Sequence, residues 1–248
     1  MKKNFIIFGL ALLSLGACKS SLNIANVHTE KNISINSTLT EDQKFNDVIA
    51  PYKKELDGKM STKISHTSID LTKTGDNSNL GNLLADFTYE GALEWAKKNN
   101  IPSIDAAVIN IGGIRSIIGA GDITTKHIFE VMPFENEVII VKLKGKDLEG
   151  LFQYYLENKT NNPVSHLNIE TSGNSLTKKL INGQEVNPEK DYYIATSDYL
   201  AFGGDRMYFF KKGEIISTGI KLRDLFLEKF KENPEIKAPT DIRLTFIK

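Results

Sequence analysis

Hydrophobic residues recur along the chain at the spacings of helices and strands, and they predict an alternation of the two. The clearest helix covers residues 79–98, capped by Asn77 or Asn79. Its apolar face is formed by residues three or four positions apart: Leu80, Leu83, Leu84, Phe87, Gly91 and Trp95. Residues 104–110, "IDAAVIN", are almost continuously apolar, which is typical of a strand covered on both faces.

Shorter patterns predict the other elements. Thr40 followed by Gln43 suits a capping box, and predicts a helix that runs to about Leu56. Residues 62–71 alternate like a half-exposed strand. The remaining predictions are a helix at 124–132 capped by Thr124, a strand at 136–145, a helix at 146–158, two or three strands between 166 and 198 around an Asn182–Gly183 turn, a helix from Ser217 to about Lys231 and a strand at 241–248. This interleaving predicts an α/β (α+β) domain, with a mixed sheet and helices packed on its faces.

The first 17 residues have the layout of an export signal. Lys2 and Lys3 precede an apolar stretch at 5–15 that is too short for a stable membrane span, and small residues lead to Cys18. This layout resembles a bacterial lipoprotein signal, in which Cys18 is lipidated and becomes the first residue. A plain secretory peptide with an incidental cysteine is the alternative.

The segment after the cysteine is polar and without pattern, and we interpret it as a tether. By the same resemblance, Lys19 favours an anchor in the outer membrane, facing the periplasm. The predicted organisation is a signal peptide at 1–17, a flexible tether at 18–37 and a folded domain at 38–248.

Charge and composition narrow the chemistry. The chain has 31 basic and 31 acidic residues, so it lacks the basic excess of most nucleic-acid-binding proteins, and we expect no nucleic-acid partner. The only cysteine is Cys18, so an internal disulfide is excluded. The four histidines are widely separated and match no metal motif, and no GxSxG nucleophile motif occurs. Spacing alone therefore predicts no metal, no cofactor and no catalytic residue in this chain.

Three short loops carry the remaining candidate chemistry. They are "NIGGIR" at 110–115, "MPFEN" at 132–136 and "SDYLAFGGDR" at 197–206. Each follows a predicted strand or short helix. The plain interpretation is that they contain turn residues and core aromatics, and each loop taken singly is compatible with it.

The side chains of these loops also suit a ligand site. Phe134 and Tyr199 are loop aromatics that could sandwich a flat ring. The Asn136 amide could read ring edges, because it both donates and accepts hydrogen bonds. Asp205 could accept hydrogen bonds from vicinal hydroxyls, and Arg115 could bind a phosphate or carboxylate.

Together the loops and their order resemble a known domain. The order is N-x-G-G-x-R, then G-D-I-T, then P-F-x-N, then a strand ending in L-K-G, then L-x-x-G-G-D. It resembles the C-terminal domain of 5′-nucleotidases, and "NLGNLLADF" at 79–87 looks like that domain's first helix. The resemblance covers about residues 60–248.

The resemblance implies a nucleoside-binding site. It implies that Phe134 and Tyr199 are the two stacking rings, so both should face one cavity. Asn110 and Arg115 match the two ends of N-x-G-G-x-R, with the arginine directed to phosphate. The double glycine lets backbone approach the ligand, Asn136 lies near the base and Asp205 binds ribose. The implied substrate-binding residues are Asn110, Gly112, Gly113, Arg115, Phe134, Asn136, Tyr199, Gly203, Gly204 and Asp205.

The chain also departs from the family pattern. Family members carry an N-terminal metallophosphatase domain with D-x-H, G-N-H-[DE] and H-x-H motifs for two metal ions, and none of these motifs occurs here. An arginine that often lies a few residues before N-x-G-N is represented only by Lys73 in "LTKTGDN". Tyr199 replaces a usual Phe, and Arg206 replaces a usual Gly, which changes the local backbone preference.

Three functions remain open. In the first, the chain is the nucleoside-recognition component of a 5′-nucleotidase-type hydrolase, and the two metals lie on a separate metallophosphatase partner. In the second, it is a lipid-anchored module that binds nucleotides without catalysis. In the third, it is a structural envelope lipoprotein with vestigial loops. Activity of the chain alone is the least expected outcome.

Overall fold

The computed structural model describes Ile24 and residues 26–248. The predicted signal peptide and Cys18 lie outside the described residues, so both remain predictions. The described residues belong to two units, one ending at Val48 and the other running from Ile49 to Lys248. Residues 26–42 contain no helix or strand and are exposed. No helix among the described residues is both long and apolar enough to cross a membrane.

Helices and strands alternate from residue 43 onward. The helices are α1 (Gln43–Met60), α2 (Asn79–Lys98), α3 (Thr125–Val131), α4 (Gly145–Asn158), α5 (Asp198–Ala201) and α6 (Leu222–Glu232). Short 3-10 helices lie at Ile111–Gly113, Gly204–Arg206 and Tyr208–Lys212. The strands are β1 (Lys63–Thr67), β2 (Ala106–Val108), β3 (Gly121–Thr124), β4 (Glu137–Lys144), β5 (Val164–Ser165), β6 (Leu167–Ser172), β7 (Ser175–Ile181), β8 (Gln184–Glu185), β9 (Asp191–Ser197), β10 (Glu214–Lys221) and β11 (Leu244–Ile247).

A five-stranded mixed sheet in the order β10-β4-β9-β2-β5 forms the centre of the second unit. β2 runs parallel to β9, and the other neighbouring strands are antiparallel. A four-stranded sheet in the order β11-β6-β7-β8 and the β1–β3 pair complete the strands described. Asn182 and Gly183 have φ values of 51° and 74°, which confirms the predicted tight turn between β7 and β8.

The central sheet is covered on both faces, because successive side chains of a strand point to opposite sides. From β4, Val138 and Ile140 join one buried cluster, whereas Ile139 and Val141 join the other. The first cluster includes the apolar faces of α2 and α6, and the second includes that of α4. Burial of each large apolar side chain contributes about 1.5–3 kcal/mol. The fold is thus the α/β arrangement that the alternating pattern predicts.

Two boundaries near the start of the chain differ from the prediction. α1 extends past Leu56 to Met60, and Asp42 rather than Thr40 accepts a backbone hydrogen bond at its start, from Lys44 N at 2.9 Å. α2 has the predicted bounds, but its N-cap is Ser78. Neither predicted asparagine occupies the cap position.

The start of the last helix was predicted wrongly. Residues 217–221, expected to be helical, belong to β10, and α6 begins at Leu222. Ser217 lies opposite Ile139 of β4, and Lys221 lies opposite Glu137. Pairing with a central strand therefore outweighs the helical spacing of the apolar residues in this segment.

Candidate functional site

The three candidate loops meet at one edge of the central sheet. The pairing of Val138 with Ser197 brings the amino end of β4 beside the carboxyl end of β9. Because β2 is parallel to β9, its carboxyl end lies at the same edge. The topology therefore collects loops that are far apart in sequence, and it does so beyond the carboxyl ends of strands, a common position for ligand sites.

The loops enclose an open cavity of about 500 Å³. The residues that line it are Asn110, Gly112, Phe134, Glu135, Asn136, Tyr199 and Asp205. All of these except Glu135 belong to the set of predicted binding residues. The other predicted residues, Gly113, Arg115, Gly203 and Gly204, lie on the same loops but do not line the cavity.

Two aromatic side chains line this cavity, and each is only about half buried. Phe134 and Tyr199 are both 45% exposed. Phe134 lies in the loop between α3 and β4, and Tyr199 lies in the first turn after β9. Large rings on loops are usually buried in the core or covered by a partner, so an open cavity with two of them is suited to a flat apolar ligand.

The Tyr199 hydroxyl is engaged with Asp205. It donates a hydrogen bond to Asp205 Oδ1 at 2.7 Å and accepts one from Asp205 N at 3.2 Å. The bond to the carboxylate raises the pKa of Tyr199 above its usual value. The phenol therefore keeps its proton throughout the neutral pH range.

A second hydrogen bond joins two of the loops. Asn136 Nδ2 donates to Asp198 Oδ1 at 2.6 Å, and Tyr199 N donates to the same oxygen at 2.7 Å. An ionised carboxylate only accepts, so the amide must direct its NH₂ group to Asp198. Asn136 Oδ1 then remains as an acceptor that no described residue uses. Asp198 was not predicted as a site residue, because its role depends on this contact across 62 positions.

Glycine suits positions 112 and 113 for two different reasons. Gly112 is exposed and lines the cavity, as expected for close approach of backbone to a ligand. Gly113 is buried, and a Cβ there would lie 3.0 Å from Asn110 Oδ1. Gly113 does not line the cavity, and its small size makes room for the Asn110 side chain.

The second pair of glycines, Gly203 and Gly204, does not line the cavity but makes room for the Tyr199 side chain. Gly203 has φ 96°, a conformation that side chains disfavour. A Cβ on Gly204 would come within 2.6 Å of the Tyr199 ring atoms Cε1 and Cζ. Asp205 and Arg206 follow with φ values of 50° and 66°. Arg206 thus keeps the left-handed backbone that the usual glycine would adopt, at a strain of about 1–2 kcal/mol.

Arg115 is exposed at the rim of the site. Its Nη1 donates to Gly112 O at 3.1 Å, and its Cζ lies 5.9 Å from the centroid of the Phe134 ring. Lys73 is nearby in the fold, since its Nζ donates to Ile114 O at 2.6 Å. Both cations retain hydrogen-bond donors that no described residue accepts, as an anion site requires.

A partly buried arginine that the sequence pattern did not reveal holds the Phe134 loop. The Arg223 side chain is 12% exposed, pairs with Glu135 and donates from Nη1 to Pro133 O at 3.0 Å. Its Cζ lies 4.5 Å from the centroid of Phe129. In the sequence Arg223 looks like a surface residue at the start of a helix, and only the tertiary contact gives it a role.

A second polar cleft, of about 570 Å³, contains a very different arrangement. Arg243 is 8% exposed, and its Nη1 and Nη2 each donate to Asp86 at 2.8 Å while its Nε donates to Asp241 at 2.7 Å. Nη1 also donates to Val164 O at 2.7 Å, with Asn82 O at 3.3 Å, and Nη2 also donates to Asp241 Oδ1 at 3.1 Å. We name Asp86, Asp241 and Arg243 the Arg243 cluster. All its guanidinium donors are satisfied, which indicates a structural role.

Among the described residues, no three His, Cys, Asp or Glu side chains are grouped as a metal site would require. The features that remain are an α/β domain and an aromatic-lined cavity with polar groups at one edge of its central sheet. This combination is typical of small-molecule sites.

The match to known proteins is specific. Residues 58–212 match the family described as "5′-nucleotidase, C-terminal domain", which covers more than half of the chain. The chain belongs to this family. Its α/β fold is that of the family, and the hydrolase and nucleotide-metabolism assignment applies at family level.

Similar proteins are considerably longer than this chain. Protein UshA of Yersinia enterocolitica is 24% identical over 217 residues, which cover 86% of this chain and 38% of UshA. Protein UshA of Escherichia coli is 28% identical over 171 residues, or 67% of this chain and 30% of that protein. The crystal structure of the 5′-nucleotidase precursor from Thermus thermophilus has a TM-score of 0.66 and 25% identity, and the match covers 84% of this chain and 44% of that one. The chain spans less than half the length of these relatives.

Proposed function

We propose that the cavity binds the nucleoside part of a nucleotide or nucleotide sugar, and that the chain is the recognition component of a 5′-nucleotidase-type hydrolase. The observation that carries the proposal is the pair of half-exposed rings, Phe134 and Tyr199, facing one cavity with polar groups at its margin.

The rings provide most of the binding free energy. A base that stacks on an aromatic side chain gains about 1–3 kcal/mol. A cavity of about 500 Å³ is within the size range of small-molecule sites. Because each ring is already half-exposed, a bound base removes apolar surface from water without displacing core residues.

Polar groups at the margin orient the nucleoside. Asn136 Oδ1 accepts a hydrogen bond from the edge of the base, since its NH₂ group is directed to Asp198. Asp205 accepts from ribose hydroxyls. A site built to hydrogen-bond a ligand group discriminates strongly against ligands that lack it, because its own polar atoms are then left without partners.

The anionic end of the ligand lies toward Arg115. The guanidinium forms paired hydrogen bonds with phosphate oxygens, and the Lys73 ammonium adds a second positive charge. Lys73 thereby takes the part of the arginine that the family often carries. This arrangement directs the phosphate out of the cavity, toward a catalytic chain.

The hydrolytic step belongs to that second chain. We assign the two-metal centre and the attacking water to a separate metallophosphatase protein, while this chain holds and orients the substrate. The proposal rests on the family motifs for two metal ions, none of which occurs in this sequence. We further propose that Cys18 is lipidated and anchors the chain to the outer membrane, facing the periplasm.

Direct binding is the first test. Isothermal titration calorimetry of residues 38–248 with adenosine, AMP and UDP-glucose is expected to give binding of at least one of them. Absence of heat and of thermal stabilisation with all three ligands contradicts the proposal and favours a structural envelope protein.

Hydrolysis is the second test. AMP hydrolysis is measured with a metallophosphatase from the same cell envelope, alone and with the domain added. We expect the domain to raise the rate at low AMP concentration, and the variant Phe134→Ala to raise it less. Binding without any gain in hydrolysis indicates instead a lipid-anchored module that binds nucleotides without catalysis.

A further inference from the structure

The loop from Tyr199 to Arg206 combines three unusual features at one point. Two consecutive residues other than glycine, Asp205 and Arg206, have left-handed backbones with φ values of 50° and 66°. The ring of Tyr199 lies directly against Gly204, where a Cβ would clash with it. The hydroxyl of the same ring contacts both the backbone and the side chain of Asp205.

The Tyr199 hydroxyl restrains both the backbone and the side chain of Asp205. As an acceptor it holds Asp205 N at 3.2 Å, which restrains the backbone. As a donor it holds Asp205 Oδ1 at 2.7 Å, which restrains the side chain. A hydroxyl has one proton, so with this geometry both of its roles are assigned, and Oδ2 is the carboxylate oxygen left for a ligand.

A phenylalanine at position 199 would supply the ring and neither hydrogen bond. The left-handed backbone of Asp205 would then be held by its neighbours alone, and its carboxylate would rotate freely about the side-chain torsions. Tyr199 therefore does two separable things: its ring lines the cavity, and its hydroxyl acts on the neighbouring carboxylate.

We propose that the Tyr199 hydroxyl is a positioning group, which holds Asp205 with one carboxylate oxygen free and so makes the cavity select ligands with ribose hydroxyls over ligands without them. The inference rests on the proposed nucleoside site and specifies how that site discriminates. A preorganised acceptor loses less conformational freedom on binding than a mobile one, which is the source of the selectivity.

The test compares adenosine with 2′,3′-dideoxyadenosine in four proteins: the unmodified domain, Tyr199→Phe, Asp205→Asn and the double variant. We expect Tyr199→Phe to weaken adenosine binding about ten-fold, with dideoxyadenosine binding changed less than about two-fold. In the Asp205→Asn background the same hydroxyl deletion is expected to have little further effect, since residues in one network are not additive.

Tyr208→Phe is the matched control. Tyr208 is 61% exposed, and its hydroxyl forms no hydrogen bond with the described residues. Both affinities are expected to be unchanged in this variant.

A second measurement does not depend on any ligand. Amide hydrogen exchange, followed residue by residue by NMR, is expected to show faster exchange of Asp205 N in Tyr199→Phe than in the unmodified domain, and no change in Tyr208→Phe. Unchanged exchange of Asp205 N overturns the proposal even where no ligand is available.

The remaining outcomes are also decisive. Equal weakening of both ligands by Tyr199→Phe, or full additivity with Asp205→Asn, overturns the positioning role while the nucleoside site stands. Failure of the unmodified domain to bind adenosine, AMP and UDP-glucose overturns the nucleoside site, and the selectivity with it.

Discussion

Arg243 and Arg115 carry the same guanidinium group in opposite surroundings. Arg243 is 8% exposed, and all of its side-chain nitrogens donate to carboxylates or carbonyls. Arg115 is exposed and donates to one carbonyl, that of Gly112. The guanidinium of the Arg243 cluster has its full set of hydrogen bonds within the fold, whereas the cavity retains donors and acceptors that no described residue uses, and rings that are half-exposed.

This difference separates structural polar residues from candidate binding residues. The two regions are clefts of similar volume, about 570 and 500 Å³. Volume therefore does not distinguish them, but hydrogen-bond satisfaction does. Substitutions in the Arg243 cluster should change folding, and substitutions at the cavity should change binding.

The largest expected effect is on stability. Arg243→Met leaves Asp86, a mostly buried carboxylate, without its ion-pair partner and, among the described residues, with only the Ser165 hydroxyl as a side-chain donor, and is expected to lower the free energy of unfolding by about 3–5 kcal/mol. Urea denaturation followed by circular dichroism measures it. Arg115→Met is the matched control, expected to change stability by less than about 0.5 kcal/mol. Similar losses in both variants would remove the distinction between the two regions.

The second-largest expected effect is the loss of nucleoside affinity when the ring of Phe134 or Tyr199 is removed. Phe134→Ala and Tyr199→Ala are each expected to weaken nucleoside binding by about 1–3 kcal/mol, because a stacked base loses its partner. Calorimetry with adenosine measures the change. Phe202→Ala removes a ring that is 61% exposed and does not line the cavity, and should leave binding unchanged. A loss as large in Phe202→Ala as in the cavity variants would show that ligand binds elsewhere.

The anion contact is expected to be weaker, since Arg115 is exposed and screened by salt. Arg115→Gln should reduce AMP affinity by about 1 kcal/mol and leave adenosine affinity unchanged. Titrations at low and high ionic strength should show that the difference between AMP and adenosine shrinks with salt. An equal effect on both ligands would exclude a phosphate contact for this residue.

Relief of backbone strain should give a small gain in stability. Arg206 has φ 66°, which glycine adopts without strain, so Arg206→Gly is expected to stabilise the domain by about 0.5–1 kcal/mol after the entropy loss of glycine is included. Lys212→Gly, at a position without positive φ, should destabilise it. Thermal melts of the two variants measure this, and a destabilising Arg206→Gly would contradict the assigned strain.

The smallest expected effect is a pH dependence beside the Arg243 cluster. Burial lowers the pKa of His166 below its usual value of 6.5, and the Asp86 carboxylate opposes the shift only in part. The unfolded chain therefore binds a proton more readily, so stability from this group is complete above about pH 6.5 and falls as the pH drops through the lowered pKa. His166→Asn, which tolerates the local φ of 60°, should remove this slope in denaturation curves between pH 7.5 and 5. A slope that persists would assign it to another group.

Much of the fold follows from periodicity alone. The helix at 79–98 and the strand that became β4 were predicted almost to the residue, because a long apolar stripe or a continuous β-branched run has few alternatives. The prediction was wrong for the first turn of the last helix. Ile220 is compatible with a helix or a strand, and pairing with β4 makes this segment a strand. Six of the candidate residues that were predicted from their types and order line the cavity. Their supports, Asp198 and Arg223, were not predicted, since each acts through a contact with a distant part of the chain.

The convergence of three loops at one sheet edge has a consequence for variation among related chains. Both apolar clusters are complete without Phe134, Tyr199 or Arg115, none of which belongs to them. Substitutions at these three positions are therefore expected to alter ligand preference with little change in the melting temperature of the domain. In such a protein, ligand preference and fold stability depend on different residues, so one can evolve with little effect on the other.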